Sequence, residues 1–277
     1  MPHLNGKTRP QIKIELFSNS SLTHEFVELS DPKPMITTDL HVHSTYSDGK
    51  LSIAELVDLY GERGFGCIAI TDHICEERTF LGKAANALRL TLTKESFPSY
   101  LETIREQAER AWDQYRMLVL PGFEISKNSI FHRRSAHILG IGVSQWIDAE
   151  DSIESVCRQM SAQGALSIAA HPVHTGKWEP QTFQLWDRRE EFWDTFDAWE
   201  VASGRIFFDE VYQSGVKMLA TSDLHHPKQI HSWKTLLQVR RGERDPEAVL
   251  SAVREQRLEF EFWREPHAAI NSGVATI

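Results

Sequence analysis

Residues 36–49 read Ile36-Thr37-Thr38-Asp39-Leu40-His41-Val42-His43-Ser44-Thr45-Tyr46-Ser47-Asp48-Gly49. A short apolar run ends in a His-x-His pair and passes into a polar turn. Side chains on a strand repeat with period two, so His41 and His43 project to the same side and can reach one cation. Asp48-Gly49 has the chemistry of a turn. The same grammar recurs along the chain, with a helical segment usually following each run. Residues 67–71 lead to Asp72 and His73, residues 117–120 to Glu124, residues 166–170 to His171, and residues 218–221 to Asp223 and His225. Residues 138–143 start at His137, and residues 196–201 form a further run. Runs this short, bounded by turn residues, read as strands buried on both faces.

Helical signals lie between the runs. Ser52 and Glu55 make a capping box with a Leu51/Leu56 staple, and Gly64 gives the stop. Residues 99–115 put Leu101, Ile104, Ala108, Ala111 and Tyr115 on one face, and residues 152–163 align Ile153, Val156 and Met160 before Gly164. Asp245 and Pro246 open a helix over 246–256, and residues 258–263 read as a strand. Two short strands are expected at 12–17 and 24–29. The alternation predicts an α/β fold with a parallel sheet, and polar residues at strand ends predict an active site at the C-terminal rim. Residues 76–95 are the least regular stretch and read as a loop beside that site. The aromatic stretch of Trp178, Phe183, Trp186, Phe192, Trp193, Phe196 and Trp199 reads as core packing. Trp186 and Trp193, seven residues apart, would share a helix face, and Trp178 is a candidate wall for stacking a planar ring.

The chain has 277 residues, a length that suits one α/β barrel. A hydrophobic content of 41% excludes intrinsic disorder. The net charge of −9 argues against bulk binding of nucleic acid. Cys67, Cys75 and Cys157 are too few and too scattered for a disulfide scaffold, which suits a reducing cytoplasm. No signal peptide or apolar span is visible, so a cytoplasmic protein without a membrane partner is expected. The outlier is the count of 13 histidines. Histidine is the commonest metal ligand and a frequent acid/base group. Imidazole and carboxylate ligands suit zinc, manganese or iron.

Taken in order, residues 39–49, Ile70-Thr71-Asp72-His73, Pro121-Gly122-Phe123-Glu124, Ala136-His137-Ile138-Leu139-Gly140, Ala170-His171-Pro172 and Ser222-Asp223-Leu224-His225 resemble the successive motifs of the polymerase-and-histidinol-phosphatase (PHP) family. The resemblance covers residues 36–240. It implies a distorted seven-stranded (β/α)7 barrel, TIM-barrel-like, that holds three divalent metal ions. By motif position the first ion would take His41, His43, Glu124 and Asp223. The second would share Glu124 with His137 and His171, and the third would take Asp48, His73 and His225. Residues 1–35 would then be an N-terminal β extension, and residues 241–277 a C-terminal extension packed on the barrel with a loose tail.

The activity implied is hydrolysis of a phosphate ester of a small metabolite or nucleotide, histidinol phosphate among the candidates, with a monoester favoured over a diester. Alternatives are a phosphodiesterase or exonuclease on nucleoside bisphosphates or short oligonucleotides, a non-catalytic metal-stabilised binding module, and a hydrolase of C–N or C–O bonds. Clustered divalent ions polarise phosphoryl oxygens and acidify bound water. Asp223, Glu124, His174 and Arg205 are the candidate catalytic residues. Arg133, Arg134, Lys177, Arg205 and Trp178 are the candidates for holding substrate. His132, His174 and His226 flank ligand positions, and one of them is the expected general acid. Asp72 reads equally as a turn residue and as an orienting group for the ligand shell. Cys75 reads as packing. The sequence leaves the oligomeric state open.

Overall fold

The first apolar run forms β2 (Ile36–Val42), and the later runs join it in one sheet. The computed structural model describes residues 12–13, 34–88, 90–128, 135–173 and 184–265. Before β2 lies β1 (Ile12–Lys13); the expected strand at 24–29 falls outside the described residues. After β2 come β3 (Cys67–Ile70), β4 (His73–Cys75), β5 (Leu118–Lys127), β6 (Ala136–Ile141) and β7 (Leu166–Ala170). The remaining strands are β8 (Ala198–Ser203), β9 (Ile206–Phe207), β10 (Met218–Thr221), β11 (Trp233–Leu237) and β12 (Leu258–Phe262). The sheet order is β1-β12-β11-β2-β3-β5-β6-β7-β8-β10, with β4 paired to β5 and β9 to β8. This is more than the seven strands expected, because β11, β12 and β1 continue the sheet beyond β2 and two short strands pair at its rim.

Strands β2, β3, β5, β7, β8 and β10 run the same way, so their C-terminal ends share one rim. Strand β6 is antiparallel to both neighbours, which corrects the expectation of a parallel sheet. The reason lies in the connection: residues 128–135 are too few for a crossover, which takes about a dozen residues, so β6 must return as the second arm of a hairpin. The reversal puts the start of β6 at the rim where the other strands end.

The helices follow their local signals. Helix α1 (Ile53–Gly61) carries the Ser52/Glu55 capping box, with Leu56, Val57 and Tyr60 buried. Helix α2 (Phe80–Ala87) occupies the stretch expected as a loop. Helix α3 (Phe97–Tyr115) buries Phe97, Tyr100, Ile104 and Ala111, and α4 (Ile153–Ala162) buries Ile153, Val156 and Met160 behind its Ser152 cap. The aromatic stretch yields two single turns, α5 (Gln184–Asp187) and α6 (Arg189–Phe192), rather than one helix. Trp186 accordingly packs edge-on against buried Trp199 while Trp193 is exposed, so the two do not share a face. Helix α7 (Asp209–Ser214) precedes β10, and α8 (Pro246–Arg254) starts at its Asp245 cap. The core between sheet and helices is dominated by Ile, Leu, Val and Phe. Each such side chain contributes roughly 1.5–3 kcal/mol on full burial.

The sheet curls until β10 comes back toward β2. Among the described residues they meet at a single parallel bridge, Val42 with Leu224. Side chains replace the missing ladder. Asp39 Oδ1 accepts from Ser222 N at 3.0 Å, and Thr235 Oγ1 both accepts from Ala220 N at 2.9 Å and donates to Ala220 O at 2.8 Å. The other oxygen of buried Asp39 is paired with buried Lys234 Nζ at 3.0 Å and accepts from Tyr60 Oη at 2.6 Å. Paired in this way, two charges can stay inside the core. Thr235→Val keeps the shape but orphans both backbone groups of Ala220. Each buried orphan costs about 1–3 kcal/mol, so urea denaturation should show a loss of roughly 2 kcal/mol or more.

Candidate metal centre

Directly after β2 the chain turns through residues 44–49, and Asp72 holds the turn. Its Oδ1 accepts from Ser44 N at 2.8 Å and Ser47 Oγ at 2.6 Å, and its Oδ2 accepts from Ser44 Oγ at 2.7 Å. The turn folds so tightly that a Cβ on Gly49 would sit 2.2 Å from His43 O. Asp72 is therefore both a turn anchor and the group that orients the next carboxylate. Asp48 is carried to the rim with Oδ1 at 3.2 Å from His225 Nε2 and 3.6 Å from His73 Nε2.

Around the rim, β2 delivers His41 and His43, β4 His73, β5 Glu124 and the start of β6 His137. His171 follows β7, and Asp223 and His225 follow β10. His171 and Asp223 have φ of 25° and 50°, left-handed values uncommon for side-chain-bearing residues. Glu124 is completely buried at the centre. Its Oε1 lies 2.9 Å from His137 Nδ1 and 3.2 Å from His171 Nε2, and its Oε2 lies 2.9 Å from His73 Nδ1. His41 Nε2 and His43 Nε2 each lie 3.5 Å from Glu124 Oε2 and 3.3 Å from Asp223 Oδ1.

All nine residues named by motif thus come together. Their ligating atoms form four overlapping groups, each within 4.8 Å: His43-Asp48-His73-His225, His41-His43-Glu124, His41-His171-Asp223 and Glu124-His137-His171. Four buried atoms of this set have no hydrogen-bond partner: His41 Nε2, both ring nitrogens of His43, and Glu124 Oε2. Buried polar atoms are almost always partnered, so orphaned ligand atoms that face one another fit a cation.

The charges agree. Burial, together with the His225 and His73 imidazoles, pushes His43 down to about 3, which leaves it neutral with one ring nitrogen free to ligate. Burial acts against ionisation of Glu124, Asp223 and Asp48. The imidazoles around Glu124 and Asp223, and the bond from His225 to Asp48, outweigh it and hold all three below the usual carboxylate range. For His225, burial is outweighed by the Asp48 bond and the Asp223 charge, which raise it to about 9. His41 is raised in the same way, by Asp223, Glu124 and Glu200 against burial.

Residues 39–140, from Asp39 on β2 to the middle of β6, match the PHP domain family. A two-domain protein from Bacteroides vulgatus, containing a predicted PHP-like metal-dependent phosphoesterase, shares the fold with a TM-score of 0.57. It is 23% identical, over 87% of this chain and 69% of that one. PsfC from Pseudomonas syringae aligns with a TM-score of 0.53 and 14% identity, over 83% of this chain and 92% of that one. The DNA polymerase/3'-5' exonuclease PolX of Bacillus subtilis is 41% identical over 61 residues, which is 22% of this chain and 10% of PolX.

The rim opens into a cavity of about 850 Å³. Arg205, between β8 and β9, lines it. Arg133, Arg134, His132, His174, Lys177 and Trp178 lie outside the described residues. Exposed His226 does not line the cavity; its Nδ1 accepts from Lys228 N at 3.3 Å and caps the 3-10 turn Pro227–Ile230. Cys75, expected as packing, is buried and free, yet it also lines the cavity.

Several contributors escaped the sequence reading. Lys228 is a second cation on the wall. Asn128 Oδ1 lies 3.1 Å from His137 Nε2, and Ser126 Oγ lies 2.8 Å from His73 Nδ1. Buried Glu200 lies 2.9 Å from His41 Nδ1, and its signal was a charge inside an apolar run. Ala85 and Leu90 bring the α2 excursion into the lining of the cavity. The excursion is tied at its root: Leu92 N donates to His73 O at 2.7 Å, and Thr91 Oγ1 accepts from Cys75 N at 3.0 Å.

Asp72→Ala leaves Ser44 N and two hydroxyls without their acceptor. A loss of about 2 kcal/mol or more is expected in chemical denaturation of the chelator-treated protein.

Proposed function

We propose that this chain is a metal-dependent phosphoesterase acting on a phosphorylated small metabolite or nucleotide through three divalent ions. The carrying observation is the spacing around His41 and His43. A tetrahedral ion with bonds of about 2.0–2.1 Å sets its ligands roughly 3.3–3.4 Å apart. The four contacts of His41 Nε2 and His43 Nε2 with Asp223 Oδ1 and Glu124 Oε2 are 3.3–3.5 Å, and three of those four atoms have no hydrogen-bond partner. On this reading Glu124 shares its second oxygen with His137 and His171, while Asp48, His73 and His225 complete a third position. The strands from β2 through β10, without β4 and β9, then form the seven-stranded unit. Zinc, manganese and iron all suit these donors.

Bound divalent ions supply charge for phosphoryl oxygens and acidify water. The residues supply the rest. Asp48, Glu124 and Asp223 stay ionised and fix where positive charge collects. Arg205 and Lys228 line the same cavity and are suited to hold a phosphate or second anionic group. A cavity of about 850 Å³ exceeds what phosphate alone fills, which supports a leaving group of metabolite or nucleotide size. His174 and Trp178 remain the proposed acid and stacking residues, with Arg133, Arg134 and Lys177 as further phosphate contacts. The polymerase and exonuclease activities named for PolX leave a diester substrate as the second reading.

Phosphate release should be measured over a panel of monoesters and diesters with added manganese or zinc. Turnover by the loaded protein, abolished together with metal content in His43→Ala, is expected; no turnover of any ester overturns the reading. Metal loading should also release protons. His41 and His225 are held protonated at neutral pH without a cation, the latter up to about 9, so a metal must displace those protons. Apparent affinity should therefore rise with pH between 6 and 8, read by calorimetry in buffers of differing ionisation enthalpy.

A further inference from the structure

Glu200 sits in the middle of β8, fully buried, and belongs to none of the four ligand groups. Its oxygens are nevertheless engaged on both sides. Oε1 lies 2.9 Å from His41 Nδ1 and accepts from Thr221 Oγ1 at 2.5 Å, while Oε2 accepts from the backbone N of His171 at 2.6 Å. One carboxylate therefore touches two strands, β2 and the end of β7, that each deliver an imidazole to the same group, His41-His171-Asp223.

An ionised carboxylate can only accept hydrogen bonds. The ring atom that faces it must then carry a proton. In the neutral, cation-binding form of His41 this places the hydrogen on Nδ1 and leaves Nε2 bare, and Nε2 is a buried atom with no partner. At His171 the backbone N–H is a donor that cannot reverse. The bond holds that residue at φ 25° immediately before Pro172, where the chain would otherwise favour extended values. The geometry points to Glu200 as a positioning residue that sets the tautomer of His41 and the backbone of His171 at once, presenting both imidazoles to one cation. The inference rests on the metal-binding part of the reading above and adds to it a group that touches neither substrate nor ion.

A carboxylate is required because two acceptor atoms are required. An amide of the same shape has one. In Glu200→Gln the amide oxygen can serve His171 N, and the NH2 then faces His41 Nδ1. His41 must accept there, which moves its proton to Nε2 and blocks the atom turned toward Asp223 and Glu124. In the opposite orientation His41 is satisfied and His171 N–H is orphaned against an NH2. Either arrangement spoils one member of the same group. The Thr221 hydroxyl rotates and adapts to both.

The test uses the full chain, stripped with chelator and titrated with zinc by calorimetry. Removal of a partner that orients a metal-bound histidine typically weakens binding by about 10–100-fold. Glu200→Gln should weaken one class of zinc site by that factor while the chelator-treated protein keeps its far-UV spectrum. Thr221→Val removes a buried bond to Glu200 but neither acceptor relation, so its zinc affinity should match that of the wild type. Unchanged affinity in Glu200→Gln overturns the inference, as does an equal loss in both variants.

Should Glu200→Gln fail to fold, the zinc-loaded wild type decides. Long-range ¹H–¹⁵N correlation should show the His41 proton on Nδ1, and a proton on Nε2 overturns the inference. A wild type that binds no zinc overturns it together with the metal reading. A wild type that binds zinc but cleaves no phosphate ester sinks only the phosphoesterase reading.

Discussion

One buried carboxylate has more neighbours than it can bond. Glu124 is without solvent exposure, and its two oxygens lie within 3.5 Å of nitrogens from His41, His43, His73, His137 and His171. A carboxylate in a water-poor interior is stable only with compensating charge. Imidazoles compensate it when protonated, yet their rings stand as close as 4.0 Å between centroids, so many protonated rings would repel one another. Burial, with His225 and His73 beside it, makes His43 give up its charge, and burial lowers His137 as well. Cations shared between the carboxylates and neutral imidazoles would resolve both demands. The strand rim, the tight 44–49 turn and the left-handed His171 and Asp223 all serve to hold donors around that point.

The reversed strand β6 is part of the same solution. If β6 ran with its neighbours, its rim end would be Ile141 rather than Ala136. The hairpin pairs His137 with Ser126 on one side and Ala170 on the other, which brings it beside Glu124 and His171. A break in the regular winding thus supplies a donor that a regular β/α repeat would have placed at the far end of the strand.

The rim residues were legible in the sequence because strand periodicity fixes which way a side chain points, and because turn residues mark where each strand stops. Helix α1 could be read from Ser52 and Glu55 alone. Strand direction was not legible, since an apolar run looks the same in either direction; the short 128–135 connection was the clue. Helix α2 was obscured by Gly82, although Thr79 Oγ1 caps its start by accepting from Gly82 N at 3.0 Å. Glu200, Asn128 and Ser126 act through partners far away in sequence, and no local pattern identifies the partner. Glu200 was at least conspicuous as a charge between Trp199 and Val201.

The excursion that carries α2 leaves the sheet after Cys75 and returns at Thr91 and Leu92, which bond back to the backbone of residues 73–75. Its root is closed like the neck of a purse, so changes in the length or composition of residues 77–90 need not displace His73. The wall that Ala85 and Leu90 give to the cavity is thereby mechanically separate from the cluster of donors. The bulk that the cavity admits and the set of rim donors are free to vary independently in this architecture, the one with the α2 excursion, the other with the closed geometry of the rim.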